Sequence, residues 1–502
     1  MISEQILRRE VLKRCGIVAL AFASPAWLNP VAFAQTTRSQ TKNPNRGNAG
    51  PTVAEDIARW VVDLRYEQLP PNVIERAKRV LLDTLGCALG AIDAAPVRMA
   101  QQVVALQGGN PQATILGIGR RASCDQAAFL NGMALRYLDY NDYVALGKPH
   151  HASINVAPAL AVAEMQGLTG KALLLGLIAG YELEVRLRDA IAAKEREGWD
   201  ATSIVAQYAA AATAGKLLRL DAVKLANALA IAGSNANTLA EVRRGAEMTP
   251  AKGSAEPMAA RNGVFAALLA NAGLTYPLSI FEGENGYGKI VSGTLDQDIL
   301  RKRSGDFQIL KSCIKLWPCV GTAQAPIAAA LDIRKQQPRP DVAGVTVALS
   351  DFAYRQQKAY PEQIKSREHA DHSVPYTVAR ALLEGDVRVG DFEESRFTDP
   401  RALALMGKLA LRSEPSLSNE NLGANLEVVS QNGSVFKANV PIPPGNMANP
   451  AGDTELRRKF AALAENVLGR ERAQRSIDVI LAVDTMSDLG NLLNAVSPPK
   501  RG

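Results

Sequence analysis

The chain has 502 residues, 47% hydrophobic and 21% charged, an ordinary globular composition. That length exceeds one ordinary core, so two domains are the default. The net charge is +7, but the basic residues are scattered and aromatics are only 5%, which argues against a nucleic-acid partner and leaves attraction of small anions.

The elements follow in chain order. Residues 1–34 read as a twin-arginine export signal. Arg8-Arg9 opens RREVLK, an apolar run covers Gly16 to Leu28, and Ala32-Phe33-Ala34 precedes Gln35 as an A-x-A cleavage site. The run is too short, and too interrupted by Pro25, to span a membrane. Cys15 lacks the small preceding residue of a lipid-anchored leader. A periplasmic mature chain without stable membrane insertion is expected. Residues 35–50 are polar and aperiodic and read as a flexible tether.

Residues 51–305 read as a helical domain. Pro70-Pro71 opens NVIERAKRVLLDTLGCALGAI, whose late glycines would permit close helix packing. Further helices are expected over Ala152–Met165, Leu173–Leu187, Ile204–Leu217, Ala222–Ala232 with Asp221 as N-cap, and Met258–Ala272. Residues 306–450 read as a smaller α+β lid domain. Val345, Val347 and Leu349 alternate as on a strand, as do Leu409 and Leu411. Ala379–Leu383 lies in a helix, and Asn425–Val440 reads as a hairpin turning at Asn432-Gly433. Residues 451–502 return to helix and are expected to pack back on the first domain. The fold class is mainly α with an α+β part.

Four histidines occur in the whole chain, and they sit in two clusters. His150 and His151 follow Asp139, Asp142 and Lys148 in LDYNDYVALGKPHHAS; His369 and His372 lie in EHADHSVPY. Histidine moves protons near neutral pH, so a chain this poor in it that gathers it beside acids points to a site. Lys252 precedes a helix in MTPAKGSAEP, where the helix N-terminus adds positive potential. Lys315 lies in KSCIKLWPC, flanked by Cys313 and Cys319, which could line a pocket. Tyr354 groups with His372, Ser373 and Tyr376. An electropositive pocket with a base suits proton abstraction next to a carboxylate. Cys87 reads as packing in an apolar helix, and it, Cys124, Cys313 and Cys319 match no zinc spacing. No phosphate loop or dinucleotide fingerprint is present.

The chain resembles the MmgE/PrpD family over roughly Thr52 to Leu493. The resemblance rests on LLDTLGCALGA, LRYLDYND followed by HASINVAPALAVAE, AAAATAGKLLRLDAVKLANALAIAGS, AARNGVFAALLANAG, SCIKLWPC, ADHSVPYTVARALLEGDV and NPAGDTELRRKF. That family includes 2-methylcitrate dehydratase, cis-aconitate decarboxylase and iminodisuccinate epimerase. The resemblance implies a helical domain with an α+β lid, a homodimer, a site between the parts, and neither cofactor nor metal. It implies catalytic roles for Asp139, His151, Lys252 and Lys315. Asp139 and His151 would handle protons, and the lysines would bind carboxylates. Asp142, Tyr143, Asp200 and Tyr354 are the expected substrate-binding residues.

Departures from the family pattern stand out. Asp200, in Gly198-Trp199-Asp200-Ala201-Thr202, replaces a pocket histidine and would repel a carboxylate or act as a base. Tyr143 replaces a small threonine, narrowing the pocket and adding a phenol. Val320 and Gln324 stand where some members carry histidine. The expected function is an exported, cofactor-independent lyase, dehydratase-like, or an isomerase, abstracting a proton beside a carboxylate of a small di- or tricarboxylate. The alternatives are a racemase or epimerase, and a non-catalytic periplasmic binding protein for organic anions.

Overall fold

The structure is a computed structural model that describes residues 50–144, 150–191, 198–244, 247–302, 305–338, 341–360 and 363–498. By its contacts the chain divides into a unit at Met1–Gly50 and a unit at Pro51–Gly502. The first is described only at Gly50, so the export signal and tether lie outside the described residues, as does Lys148.

The second unit is mainly helical with small sheets. A capping box between Thr52 and Glu55 opens α1 (Val53–Asp63). Pro71 at the first turn opens α2 (Pro71–Ala91), followed by α3 (Ala95–Gln107). A two-stranded pair, β1 (Ala113–Thr114) and β2 (Arg121–Ala122), precedes α4 (Cys124–Tyr137). Next come α5 (Val156–Met165), α6 (Gly170–Ala190), α7 (Ala201–Leu217), α8 (Ala222–Ser234) and α9 (Ala255–Asn271). Asp221 accepts from the Lys224 amide and caps α8, as its sequence position predicts.

Alanine and glycine let these helices approach closely. A Cβ at Gly263 on α9 would lie 2.4 Å from the Gln207 carbonyl oxygen on α7, so only glycine fits that crossing. The late glycines of α2 play the same part: a Cβ at Gly90 would lie 2.7 Å from Leu463 Cδ2. Leu463 belongs to α13, introduced below. Among the described residues no single helix is long and apolar enough to cross a membrane.

A second cluster of buried side chains surrounds a four-stranded sheet of order β6-β5-β7-β8, made of β5 (Val342–Leu349), β6 (Leu409–Ser413), β7 (Ala424–Ser430) and β8 (Val435–Val440). β5 runs parallel to β6, pairing Val345 with Leu409, and antiparallel to β7, pairing Val347 with Leu426. β7 and β8 form the expected hairpin, with Gly433 at φ +84° in its turn. Helix α10 (Gln324–Gln336) packs on β7, on β8 and on α12 (Val374–Glu384), and α11 (Asp351–Lys358) follows β5. Helices α13 (Asp453–Leu468) and α14 (Arg470–Leu481) contribute to the first, helical cluster, α13 lying against α2.

Short strands β3 (Tyr143–Val144) and β4 (Ser312–Cys313) pair antiparallel. They bring the stretch that carries Asp139 beside the stretch that carries Lys315, 176 residues later. Lys459 on α13 fastens both. Its ammonium donates to the carbonyls of Tyr140 (2.7 Å) and Lys315 (2.9 Å), and pairs with buried Asp83 at 2.6 Å. Cys87, Cys124, Cys313 and Cys319 are buried and form no disulfide among the described residues.

A candidate anion-binding active site

Asp139 is the hub of the site. It follows α4 with φ +50°, in the left-handed region that aspartate tolerates better than most residues. Four contacts hold it there. Arg136 Nη1 reaches Oδ1 at 2.5 Å, and Lys315 Nζ reaches Oδ2 at 3.1 Å and the Asp139 carbonyl at 2.7 Å. Lys252 Nζ lies 3.6 Å from Oδ1. Burial alone would raise the carboxyl pKa, but Lys252, Lys315 and Arg136 outweigh it and hold the group well below the usual carboxylate range. A carboxylate held so firmly ionised is a poor proton acceptor. The physics therefore gives Asp139 an electrostatic task rather than the proton transfer expected from its motif.

Lys315 is fully buried and does not line the cavity described below; it lies behind Asp139. The expectation that it binds a substrate carboxylate directly gives way to a supporting role. Burial lowers its pKa against the pull of Asp139. Cys313 and Cys319 also stay out of the cavity. Cys319 Sγ lies 3.3 Å from Gln324 Nε2, and Gln324 clamps the loop through the amides of Leu316 (2.9 Å) and Trp317 (3.2 Å).

Lys252 sits in the helical turn Pro250–Gly253, just ahead of α9. Its ammonium lies 3.1 Å from His372 Nδ1 and 3.5 Å from Asp371 Oδ1. His372 Nδ1 also contacts Asp371 Oδ1. Burial and the Lys252 charge push His372 below its ordinary value despite Asp371. Donor atoms of Asp139, Asp371 and His372 lie within 4.8 Å of one another, a cluster of metal-ligand type. The Lys252 ammonium stands at contact distance from all three and supplies the positive charge that such a cluster attracts.

His151 supplies a different group. Its Nδ1 lies 2.9 Å from the Asp142 carbonyl oxygen. A carbonyl only accepts, so Nδ1 carries the proton and Nε2 keeps its lone pair. Burial first, then Arg136 and Lys315, push His151 well below an ordinary histidine, so it is neutral at pH 7. Asp142 does not line the cavity. Its Oδ2 accepts from Tyr181 (2.7 Å) and its Oδ1 from the Ser153 amide (3.2 Å). Burial raises its pKa to about 6. Its carbonyl positions His151, in place of the substrate-binding role expected of it. His150 pairs backbone to backbone with Val144.

Asp139, His151, Lys252, Tyr143 and Asp200 meet around one cavity of about 430 Å³. Its described lining holds five cationic side chains (Arg136, Arg188, Arg243, Arg355 and Lys252) against two acids, Asp139 and Asp200. Two of these cations join the acids into a buried chain. Arg136 Nε contacts Glu256, Arg243 lies 3.2 Å from Glu256, and Arg243 Nε donates to Asp200 Oδ2 at 2.9 Å. Arg136 Nη2 is buried and lacks a hydrogen-bond partner among the described residues. Arg355, on α11, is exposed and has no ion pair among them. Tyr143 is buried with its phenol pKa well above 10, raised mainly by burial, so it stays a neutral donor.

Tyr354 is not part of the lining; it packs, half-buried, against the sheet-side cluster. Phe352, Arg355, Gln356 and Ala359 share the cavity-facing side of α11 and its end, and Tyr360 takes the place expected of Tyr354. Sequence reasoning missed Arg136, Arg188, Arg243, Glu256, Arg355, Tyr360 and Lys459. Tyr376 lies elsewhere, donating to the Asp391 carbonyl. A shallower hollow of about 650 Å³ beside α14 contains none of the candidate residues.

A cis-aconitate decarboxylase-like protein of Aspergillus oryzae is 26% identical, over 89% of this chain and 97% of the relative. The human cis-aconitate decarboxylase is 27% identical, over 89% and 96%. The 2-methylcitrate dehydratase of Salmonella typhimurium is 25% identical, over 86% and 95%. These relatives are lyases. The profile of the MmgE/PrpD N-terminal domain matches residues 55–299 and that of the MmgE/PrpD C-terminal domain residues 317–485, so the chain belongs to the MmgE/PrpD family.

Proposed function

We propose that this chain is a lyase that removes a proton next to a carboxylate of a small polycarboxylate, with elimination of a neighbouring group. The observation that carries the reading is His151. It is a neutral imidazole whose Nδ1–H is committed to the Asp142 carbonyl, so Nε2 is basic, and it lines a cavity with five cations. His151 takes the proton, the freed electron pair becomes the new double bond, and the neighbouring group leaves with its own bonding pair, a hydroxyl departing as water on the proton returned by the His151 imidazolium. Lys252 and Arg136, whose Nη2 has no hydrogen-bond partner among the described residues, bind the adjoining carboxylate and stabilise the enediolate-like charge as it develops. Asp139 keeps these cations in place. The relatives' names, cis-aconitate decarboxylase and 2-methylcitrate dehydratase, support lyase chemistry on tricarboxylates.

The test is exchange and turnover in deuterated water. Purified protein is incubated with citrate, 2-methylcitrate, cis-aconitate, malate and aspartate, and followed by NMR. Deuterium at the carbon next to a carboxylate, lost in His151→Gln, supports the reading. Ligand-induced thermal stabilisation with neither exchange nor turnover would leave a binding protein instead. Exchange with inversion and no elimination would make it an epimerase. Export to the periplasm and homodimer assembly belong to the same proposal. N-terminal sequencing of the protein from a periplasmic extract, expected to begin at Gln35, tests the first. Light scattering tests the second.

A further inference from the structure

Asp200 is the residue whose placement the proposed chemistry leaves unexplained. It stands at the N-cap position of α7 without a side-chain capping bond, it is 5% exposed, and it lines the cavity. Both of its side-chain hydrogen bonds fall on one oxygen. Oδ2 accepts from Ser203 Oγ at 2.5 Å and from Arg243 Nε at 2.9 Å. Oδ1 has no hydrogen bond among the described residues. Arg243, Ser203 and the nearby Arg188 offset burial and keep the carboxylate ionised.

An ionised oxygen left open in a cavity whose cations outnumber its acids has a chemical meaning. It repels a substrate carboxylate and accepts a hydrogen bond. A buried acceptor whose partner is missing from the complex loses affinity, so the site selects for a ligand that brings a donor. A chain of buried contacts from Asp139 through Arg136, Glu256 and Arg243 links Asp200 to the carboxylate that Lys252 approaches.

We propose that Asp200 is a specificity-determining residue whose Oδ1 accepts a hydrogen bond from a hydroxyl or ammonium group on the substrate. The substrate is then a hydroxy- or amino-substituted polycarboxylate. cis-Aconitate, which carries neither group, is a poor fit. This deepens the lyase reading and rests on its anion-binding cavity.

The experiment measures Kd by calorimetry at pH 7 for matched pairs: citrate with tricarballylate, and L- or D-malate and aspartate with succinate. In the wild-type protein at least one substituted acid should bind about tenfold to a hundredfold tighter than its unsubstituted partner. Asp200→Ala should bring the pair to near equality while the unsubstituted acid binds no more weakly than before. Equal binding within every pair in the wild-type protein overturns the proposal, as does a preference that survives Asp200→Ala. Should that variant fail to fold, Asp200→Asn, which retains an oxygen for Arg243 and Ser203, is read in its place, and a preference kept in full overturns the proposal. If the wild-type protein binds none of these acids, the anion-site reading itself fails, which is a different result from indiscriminate binding.

Discussion

The helical part of the molecule brings its charges to the cavity already paired, whereas the sheet-bearing part brings Arg355 with no ion pair among the described residues. Asp139, Arg136, Glu256, Arg243 and Asp200 each have an ionic partner at short range, deep in a close-packed alanine-rich body. Arg355 stands exposed on α11, beside Gln356 and Tyr360. A paired, buried set fixes positions and potential; an exposed, unpaired cation is free to meet a ligand. The contrast assigns preorganisation to one side and capture to the other.

The largest expected effect comes from breaking the paired side. Asp139→Asn keeps a residue suited to left-handed backbone but deprives Arg136, Lys252 and Lys315 of their shared counter-charge. Removing one partner of a buried charge set costs about 3–5 kcal/mol, so urea unfolding should shift far toward lower denaturant. His151→Gln should instead lower kcat by about 10²–10⁴-fold with little change in the unfolding midpoint. In the wild-type protein the acid limb of kcat/KM should lie below pH 6.5, because burial depresses His151 and it stays a base at lower pH than a free histidine. The same depression makes stability fall as pH drops below about 6.5, since the unfolded chain binds the proton first.

Packing gives a smaller effect on the same side. Gly263→Ala drives a methyl toward the Gln207 carbonyl and should cost about 1–3 kcal/mol, read as a lower Tm, with KM unchanged. The smallest effect belongs to the capture side. Arg355→Gln should raise KM about tenfold, as for one charged hydrogen bond of about 1.5 kcal/mol, and leave Tm and kcat near their wild-type values. An unchanged KM would remove the distinction between the two sides.

Where the determinants are local, the sequence was legible. The alternation of Val345, Val347 and Leu349, the Asn432-Gly433 turn and the Asp221 cap depend on neighbouring residues, and the structure shows each. The parallel pairing of β5 with β6 depends on distant partners and carries no local signal. Asp139, His151 and Lys252 came from motifs and share the cavity. Arg136 had a readable signal, three positions before Asp139 at the end of a helix, and Glu256 lies four residues after Lys252. Tyr354 was misplaced because motif position overrode helical period; Phe352, Arg355, Gln356 and Ala359 define one face, and residue 354 falls off it. The ionised state of Asp139 depends on Lys252 and Lys315, which are far away in the chain, so no local reading could supply it.

With only four histidines in the chain, the decisive group can be observed directly. ¹⁵N-histidine labelling and NMR over pH 5–8 would report the protonation and tautomer of His151, assigned by comparison with His151→Gln. The expected result is a neutral ring at pH 7, protonated at Nδ1, titrating below 6.5, with an Nε2 resonance that shifts when a polycarboxylate binds. A ring that is cationic at pH 7, or protonated at Nε2, would contradict it.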